Sequence, residues 1–124
     1  MGRVKSKDTK PEMKLRKLVY SLGYRYRLHG KGLPGKPDLV FNGRRKIIFV
    51  HGCFWHRHRG CARCRMPKSR LRFWRPKLEQ NRRRDIRNQR RLRSAGWQLL
   101  IVWECQLERP ETLEGKIIRF LGDD

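Results

Sequence analysis

Cys53, His58, Cys61 and Cys64 fall within twelve residues of one another, and Cys105 stands far behind them, directly after an apolar run. A structural zinc ion takes a closed tetrahedron of thiolate and imidazole, and a short loop plus one distant ligand is how such an ion ties a loop to a sheet. The spacing Cys-x4-His-x2-Cys suits that chemistry. Five side chains compete for four places: Cys61-x2-Cys64 taken alone reads as a knuckle that leaves His58 out, so spacing does not choose between His58 and Cys64. Cys105 taken alone reads as an ordinary small buried cysteine.

A second set is built from acid and imidazole. Asp38 stands at the start of an apolar run, beneath a Gly/Pro-rich loop, in a very basic chain. Its carboxylate suits magnesium, which prefers one or two carboxylates, a backbone carbonyl and several waters, and which polarises a phosphate while activating the attacking water. The plainer use is an ion pair with a nearby arginine or a turn cap. His51 and His56 flank Cys53-Phe54-Trp55. Two imidazoles near neutrality can serve as base, as acid or as phosphate donors, and either, His56 among them, could instead join the zinc set.

These side chains need elements to hold them. Thr9-Lys10-Pro11-Glu12 supplies an N-cap, an early proline and a Glu three residues on, which opens a helix with Met13, Leu15, Leu18, Val19 and Leu22 as its apolar stripe and Gly23 at its end. Tyr24, Tyr26 and Leu28 alternate with Arg25 and Arg27, as in a strand with one buried face. Residues 29–37 are a loop that delivers the chain to Asp38-Leu39-Val40-Phe41. Asn42-Gly43 is a strong hairpin signal, with Lys46 to Val50 as the return strand, and the hairpin would bring His51 and His56 toward the start of Asp38's strand. Phe73 to Ala95 reads as a long basic helix with Trp74, Leu78, Ile86 and Leu92 inward, stopped at Gly96. Trp97 to Trp103 suits a strand buried on both faces, and Pro110 to Leu121 a closing helix. The order α, β, β, β, α, β, α implies an α/β mixed sheet with flanking helices.

A length of 124 residues suits one domain, with residues 1–9 as a basic, flexible arm. Lysine and arginine total 33 against 11 acids, a net charge of +22 whose self-repulsion is best offset by a polyanion, so nucleic acid is the expected partner. Between Arg63 and Arg93 there are 14 basic and two acidic residues, which reads as a phosphate track. No apolar run approaches the roughly 18 residues of a membrane span. The opening Met1-Gly2-Arg3-Val4-Lys5-Ser6 fits the myristoylation pattern, but that pattern is too short to weigh. With no signal-like stretch, the cysteines read as thiols in the cytoplasm.

Leu33-Pro34-Gly35-Lys36-Pro37-Asp38, then Phe49-Val50-His51-Gly52-Cys53-Phe54-Trp55-His56, then Phe73-Trp74 and Trp103-Glu104-Cys105 together resemble the very-short-patch mismatch repair (Vsr) endonuclease family, and Ser6 to Glu12 fits as well. The resemblance implies a restriction-endonuclease-like fold in one domain with a structural zinc site, acting on double-stranded DNA at a T:G mismatch and nicking 5′ of the mismatched thymine; a monomer is expected. It implies Asp38 and the Val50 carbonyl as magnesium ligands, Glu12 at the metal-bound waters, His51 and His56 as catalytic imidazoles, and Cys53, His58, Cys61 and Cys105 around zinc, with Cys64 spare. It implies Phe54, Trp55 and Trp74 as a wedge into the base stack, where composition alone would make them core. Lys36, Arg82, Arg83 and Arg84 are expected on the DNA. Two alternatives stand beside this: a related nuclease with a homing or restriction-type target, and a zinc-bearing nucleic-acid-binding module without catalysis.

Overall fold

The computed structural model describes residues 9–122 apart from Lys31 and Pro67, so most of the expected N-terminal arm lies outside the described residues. The first helix, α1 (Lys10–Ser21), begins where expected: Thr9 is extended and its side chain accepts a hydrogen bond from the Glu12 N–H (3.4 Å), with Pro11 in the first turn. Its inward line is Glu12, Leu15 and Val19, at intervals of three and four residues. The same helical period that buries two aliphatic side chains therefore carries an acid inward. Met13, expected in the stripe, is 39% exposed because it sits one residue, about 100°, off that line.

The strand expected over residues 24–28 is paired only at β1 (Arg27–Leu28). Tyr24 and Tyr26 pack against the core as predicted and donate their hydroxyls to Gly122 O and Arg16 O. Leu28 is exposed, at the point where His29, with φ of +48°, breaks the extended run. Strands β2 (Leu39–Phe41) and β3 (Lys46–His51) form the predicted antiparallel hairpin, but not through a tight Asn42-Gly43 turn. Phe41 faces Lys46, so the loop holds four residues: Asn42–Arg44 form a 3-10 turn and Arg45, at φ of +55°, takes the left-handed position.

From β3 the chain crosses through α2 (Leu71–Ser94) to β4 (Gln98–Trp103), which pairs parallel to β3 in the order β1-β2-β3-β4. Alternation then sorts the side chains. Leu39, Phe41, Ile48 and Val102 meet α1 and α3 (Pro110–Leu121) on one face, whereas Val40, Ile47 and Phe49 meet Leu92 and Trp97 on the other. The last strand, expected to be buried on both faces, is packed on both, by Leu100 and Val102 on one side and Leu99 and Ile101 on the other, but only Val102 is fully buried.

In α2, Leu78 and Leu92 are buried and Trp74 is half-buried, as expected, but Ile86 is 41% exposed. Seven-residue steps from Leu78 to Leu92 pass through position 85, so Asp85 lies on the inward line and Ile86 is turned about 100° away. Among the described residues, no helix is long and apolar enough to cross a membrane.

Candidate active cleft and metal centre

A half-open cleft of about 940 Å³ lies at the end of β3, and Glu12, Asp38, Val50, His51, His56 and Asp85 all line it. Asp38 immediately precedes β2, and because pairing starts only at Leu39, its Oδ2 takes the place of a strand partner by accepting the Val50 N–H (2.7 Å). Burial pushes the Asp38 carboxyl up to about 7; the Val50 hydrogen bond opposes the rise and the neighbouring Glu12 charge adds to it. Glu12 is 7% exposed, with its Oε2 at 3.2 Å from Arg16 Nη2 and 3.5 Å from His29 Nε2. The His29 N–H in turn donates to Asp38 O (3.2 Å), so one residue touches both acids. Gly35, at φ of +76°, lets the Gly/Pro loop approach α2: an added Cβ would stand 3.2 Å from Asn88 Nδ2.

His51 ends β3, and His56 is folded back over it by a turn in which the His56 N–H donates to Gly52 O (3.1 Å). The two rings stack at 3.9 Å and 11°. Burial, and then the neighbouring His56, push the His51 imidazole down to about 3, with Asp85 opposing, so His51 is neutral at pH 7. His56 Nδ1 lies 2.5 Å from Asp85 Oδ2. A carboxylate only accepts, so Nδ1 carries the proton and Nε2 is left as the basic nitrogen. The ligand atoms of His51, His56 and Asp85 lie within 4.8 Å of one another. Such a trio could hold a cation or exchange a proton.

The sequence reading singled out Asp38, His51, His56 and Glu12 and missed Asp85 and His29. Asp85 had a signal: it is one of two acids in the basic run, and it shares seven-residue spacing with two buried leucines. His29 had none, since its contacts are made across the fold.

Phe54, Trp55 and Trp74 belong to neither buried cluster. Their ring centroids lie 5.2 to 5.6 Å apart in edge-on and tilted contacts, all three are half-buried, and Phe73, 45% exposed, extends the group 5.1 Å beyond Trp74. Phe54 and Trp55 form part of the cleft wall, so the aromatics make a partly open shelf beside the acids. Lys36 and Arg84 also line the cleft. Arg82 is exposed, and Arg83 pairs with Glu79 (3.5 Å), because three consecutive helical residues cannot share one face.

The thiols gather a short way along the same sheet edge. Parallel pairing of His51 with Trp103 puts Cys53 and Cys105, each two residues further on, side by side. With His58 and Cys61 they form a group whose ligand atoms all lie within 4.8 Å of one another, Cys105 Sγ standing 3.6 Å from His58 Nδ1. His58 also stacks on Trp103 at 4.2 Å. Cys64 lies outside this group, in the 3-10 turn Ala62–Cys64, and His56 pairs with Asp85, so the group that could hold a metal ion contains His58 and neither of these two.

The donor set fits a tetrahedral cation. Cys53 is completely buried, and without a cation that burial pushes its thiol up to about 12, while Cys61 is lowered, chiefly by the Arg63 backbone N–H. Arg63 further pairs with Glu104 and Glu108, pinning the loop to the segment that carries Cys105.

Residues 1–63 match the family described as DNA mismatch endonuclease Vsr. The chain is 50% identical over 121 residues to the type II nicking enzyme V.XorIIP of Xanthomonas oryzae pv. oryzae, covering 98% of this chain and 88% of that protein. It is 38% identical over 123 residues to the type II nicking enzyme V.NmeAIP of Neisseria meningitidis serogroup A (99% and 87%), and 42% identical over 113 residues to the DNA mismatch endonuclease Vsr of Escherichia coli (91% and 72%).

Proposed function

We propose that this chain, which belongs to the Vsr family of DNA nicking endonucleases, cuts one strand of duplex DNA 5′ of the thymine in a T:G mismatch. The observation that carries the reading is the meeting of the Glu12, Asp38 and Asp85 carboxyl groups and two stacked imidazoles in one cleft beside a half-open aromatic shelf. A restriction-endonuclease-like arrangement in one domain accords with a mixed sheet covered by helices on both faces and a site at the start of β2 and the end of β3.

Asp38 and the Val50 carbonyl would hold Mg²⁺, with Glu12 placed toward its waters; the bound ion polarises the phosphate and lowers the pKa of a coordinated water. Glu12 is kept in place by Arg16 and His29. His56, with its Nδ1–H given to Asp85, offers Nε2 as proton acceptor, while neutral His51 has a ring N–H to donate to a phosphate oxygen. Phe54, Trp55 and Trp74 would enter the base stack, which selects a mismatch because a mispaired step costs less to open. Lys36 and Arg84 would hold flanking phosphates and Arg82 one further out, whereas Arg83, expected on the same duplex, is turned to the far side of α2 and paired with Glu79. Cys53, His58, Cys61 and Cys105 would hold a structural Zn²⁺.

A panel of T:G, T:A and C:G duplexes of otherwise identical sequence tests the specificity. Nicking of T:G is expected to exceed the other two by roughly 100-fold, equivalent to about 2.8 kcal/mol. Equal cutting of all three would reject mismatch recognition, and binding without cleavage would reject catalysis. For the imidazoles, Asp85→Asn is expected to lower the single-turnover nicking rate by about 100-fold while duplex affinity stays within about threefold, because the amide can present a donor to Nδ1 and so stabilise the wrong tautomer. An unchanged rate would remove His56 from the proton transfer.

A further inference from the structure

Helix α2 has two faces of use. The inward line through Leu78, Asp85 and Leu92 serves the core and the cleft. Positions 83, 87, 90 and 94, at intervals of four, three and four, form one stripe turned about 180° from Asp85. Arg83, Arg87 and Arg90 on that stripe, with the 41% exposed Ile86 among them, line a second groove of about 590 Å³ that shares no residue with the cleft. Arg87 and Arg90 have no ion pair or side-chain hydrogen bond among the described residues, although Glu79 is on the same helix and pairs with Arg83.

The geometry points to this outer face of α2 as a second, non-catalytic binding surface for the phosphate backbone of duplex DNA, so that one chain can touch two duplex segments at once. A protein that makes about 6–10 phosphate contacts neutralises about that many charges, whereas this chain carries a net charge of +22, so one such footprint in the cleft leaves much of the excess unmatched. A helix is roughly 10–12 Å across, and a duplex seated against Asp85 and His56 is on the opposite side of it from Arg87 and Arg90. Guanidinium forks match phosphate oxygens, and the axial rise from Arg83 to Arg90 is about 10.5 Å, the rise of about three nucleotides. Such a surface would let the protein pass directly from one segment to another during search.

The cleft-bound duplex in this scheme rests on the endonuclease reading; the outer face does not. The test follows dissociation of the full chain from a labelled T:A duplex as unlabelled duplex is added. Wild type is expected to leave faster as competitor rises, by about tenfold across a 100-fold range, and the double variant Arg87→Glu/Arg90→Glu to leave at a rate independent of competitor. Its thermal melt and its nicking of a dilute T:G duplex should match wild type. A wild-type rate that ignores competitor, or a variant that keeps the wild-type dependence, overturns the proposal. So does polyglutamate accelerating release as strongly as duplex at equal charge, since the face would then suit an acidic protein. Competitor dependence without nicking of any duplex would sink the endonuclease reading and leave this surface standing.

Discussion

Asp38→Asn is expected to lower nicking by at least about 1000-fold, equivalent to roughly 4 kcal/mol of barrier, while T:G duplex binding stays within about threefold. Asparagine keeps the acceptor for the Val50 N–H (2.7 Å) and therefore the local backbone. It loses the charge that a divalent cation needs. The same substitution makes a second, independent prediction about stability in the magnesium-free protein. The carboxyl is raised from 3.8 to about 7 in the fold, so the native state holds a proton that the unfolded state releases. Stability tied to this group is complete below about pH 4, falls as pH rises toward 7, and is then lost by an amount on the order of 4 kcal/mol. The amide of the variant cannot ionise. At pH 8, with zinc retained and no magnesium added, the variant is expected to melt higher than wild type by several degrees, and the gap should narrow as pH falls below 7. Active enzyme with normal magnesium dependence after this substitution would show that the phosphate chemistry is held elsewhere.

Removal of the zinc ion proposed for Cys53, His58, Cys61 and Cys105 is expected to abolish cooperative folding. Apparent binding of a structural zinc is worth roughly 10–16 kcal/mol at pH 7, which is as large as the whole stability of an ordinary domain, about 5–15 kcal/mol. Here the ion would also offset the crowding of a +22 chain, and it would join the loop after β3 to the segment after β4 through Cys53 and Cys105. Elemental analysis should return about one zinc per chain, and chelation should erase the melting transition. Cys105→Ala is expected to reproduce that loss, whereas Cys64→Ala should leave zinc content and melting temperature unchanged, because Cys64 stands outside the group. A chelated protein that unfolds cooperatively at the wild-type temperature would dismiss the ion as structural.

Much of this architecture was written locally. Thr9, Pro11 and Glu12 start α1 through contacts within one turn, the apolar spacing of Leu113, Ile117 and Leu121 marks α3, and the two-sided apolar run of β4 announces a covered strand. The aromatic and cysteine-histidine motifs of residues 49–58 were enough to suggest a family, since the residue types stand close together in sequence. Signals of that kind act over a few residues, and they survive whatever the rest of the chain does.

What lay beyond the sequence was phase and register. One residue of helix phase is about 100°, and that step decided that Asp85 rather than Ile86 faces inward, that Glu12 rather than Met13 reaches the cleft, and that Arg84 parts from Arg83. The parallel register of His51 with Trp103 brought Cys105 to Cys53, and the fold of the loop after β3 put His58 rather than Cys64 in their group. His29 reached Glu12 only through pairing across the sheet edge. Composition and spacing could name the reactive groups, but their convergence depends on how whole elements pack, because a displacement of one position in helix or strand turns a side chain to another face.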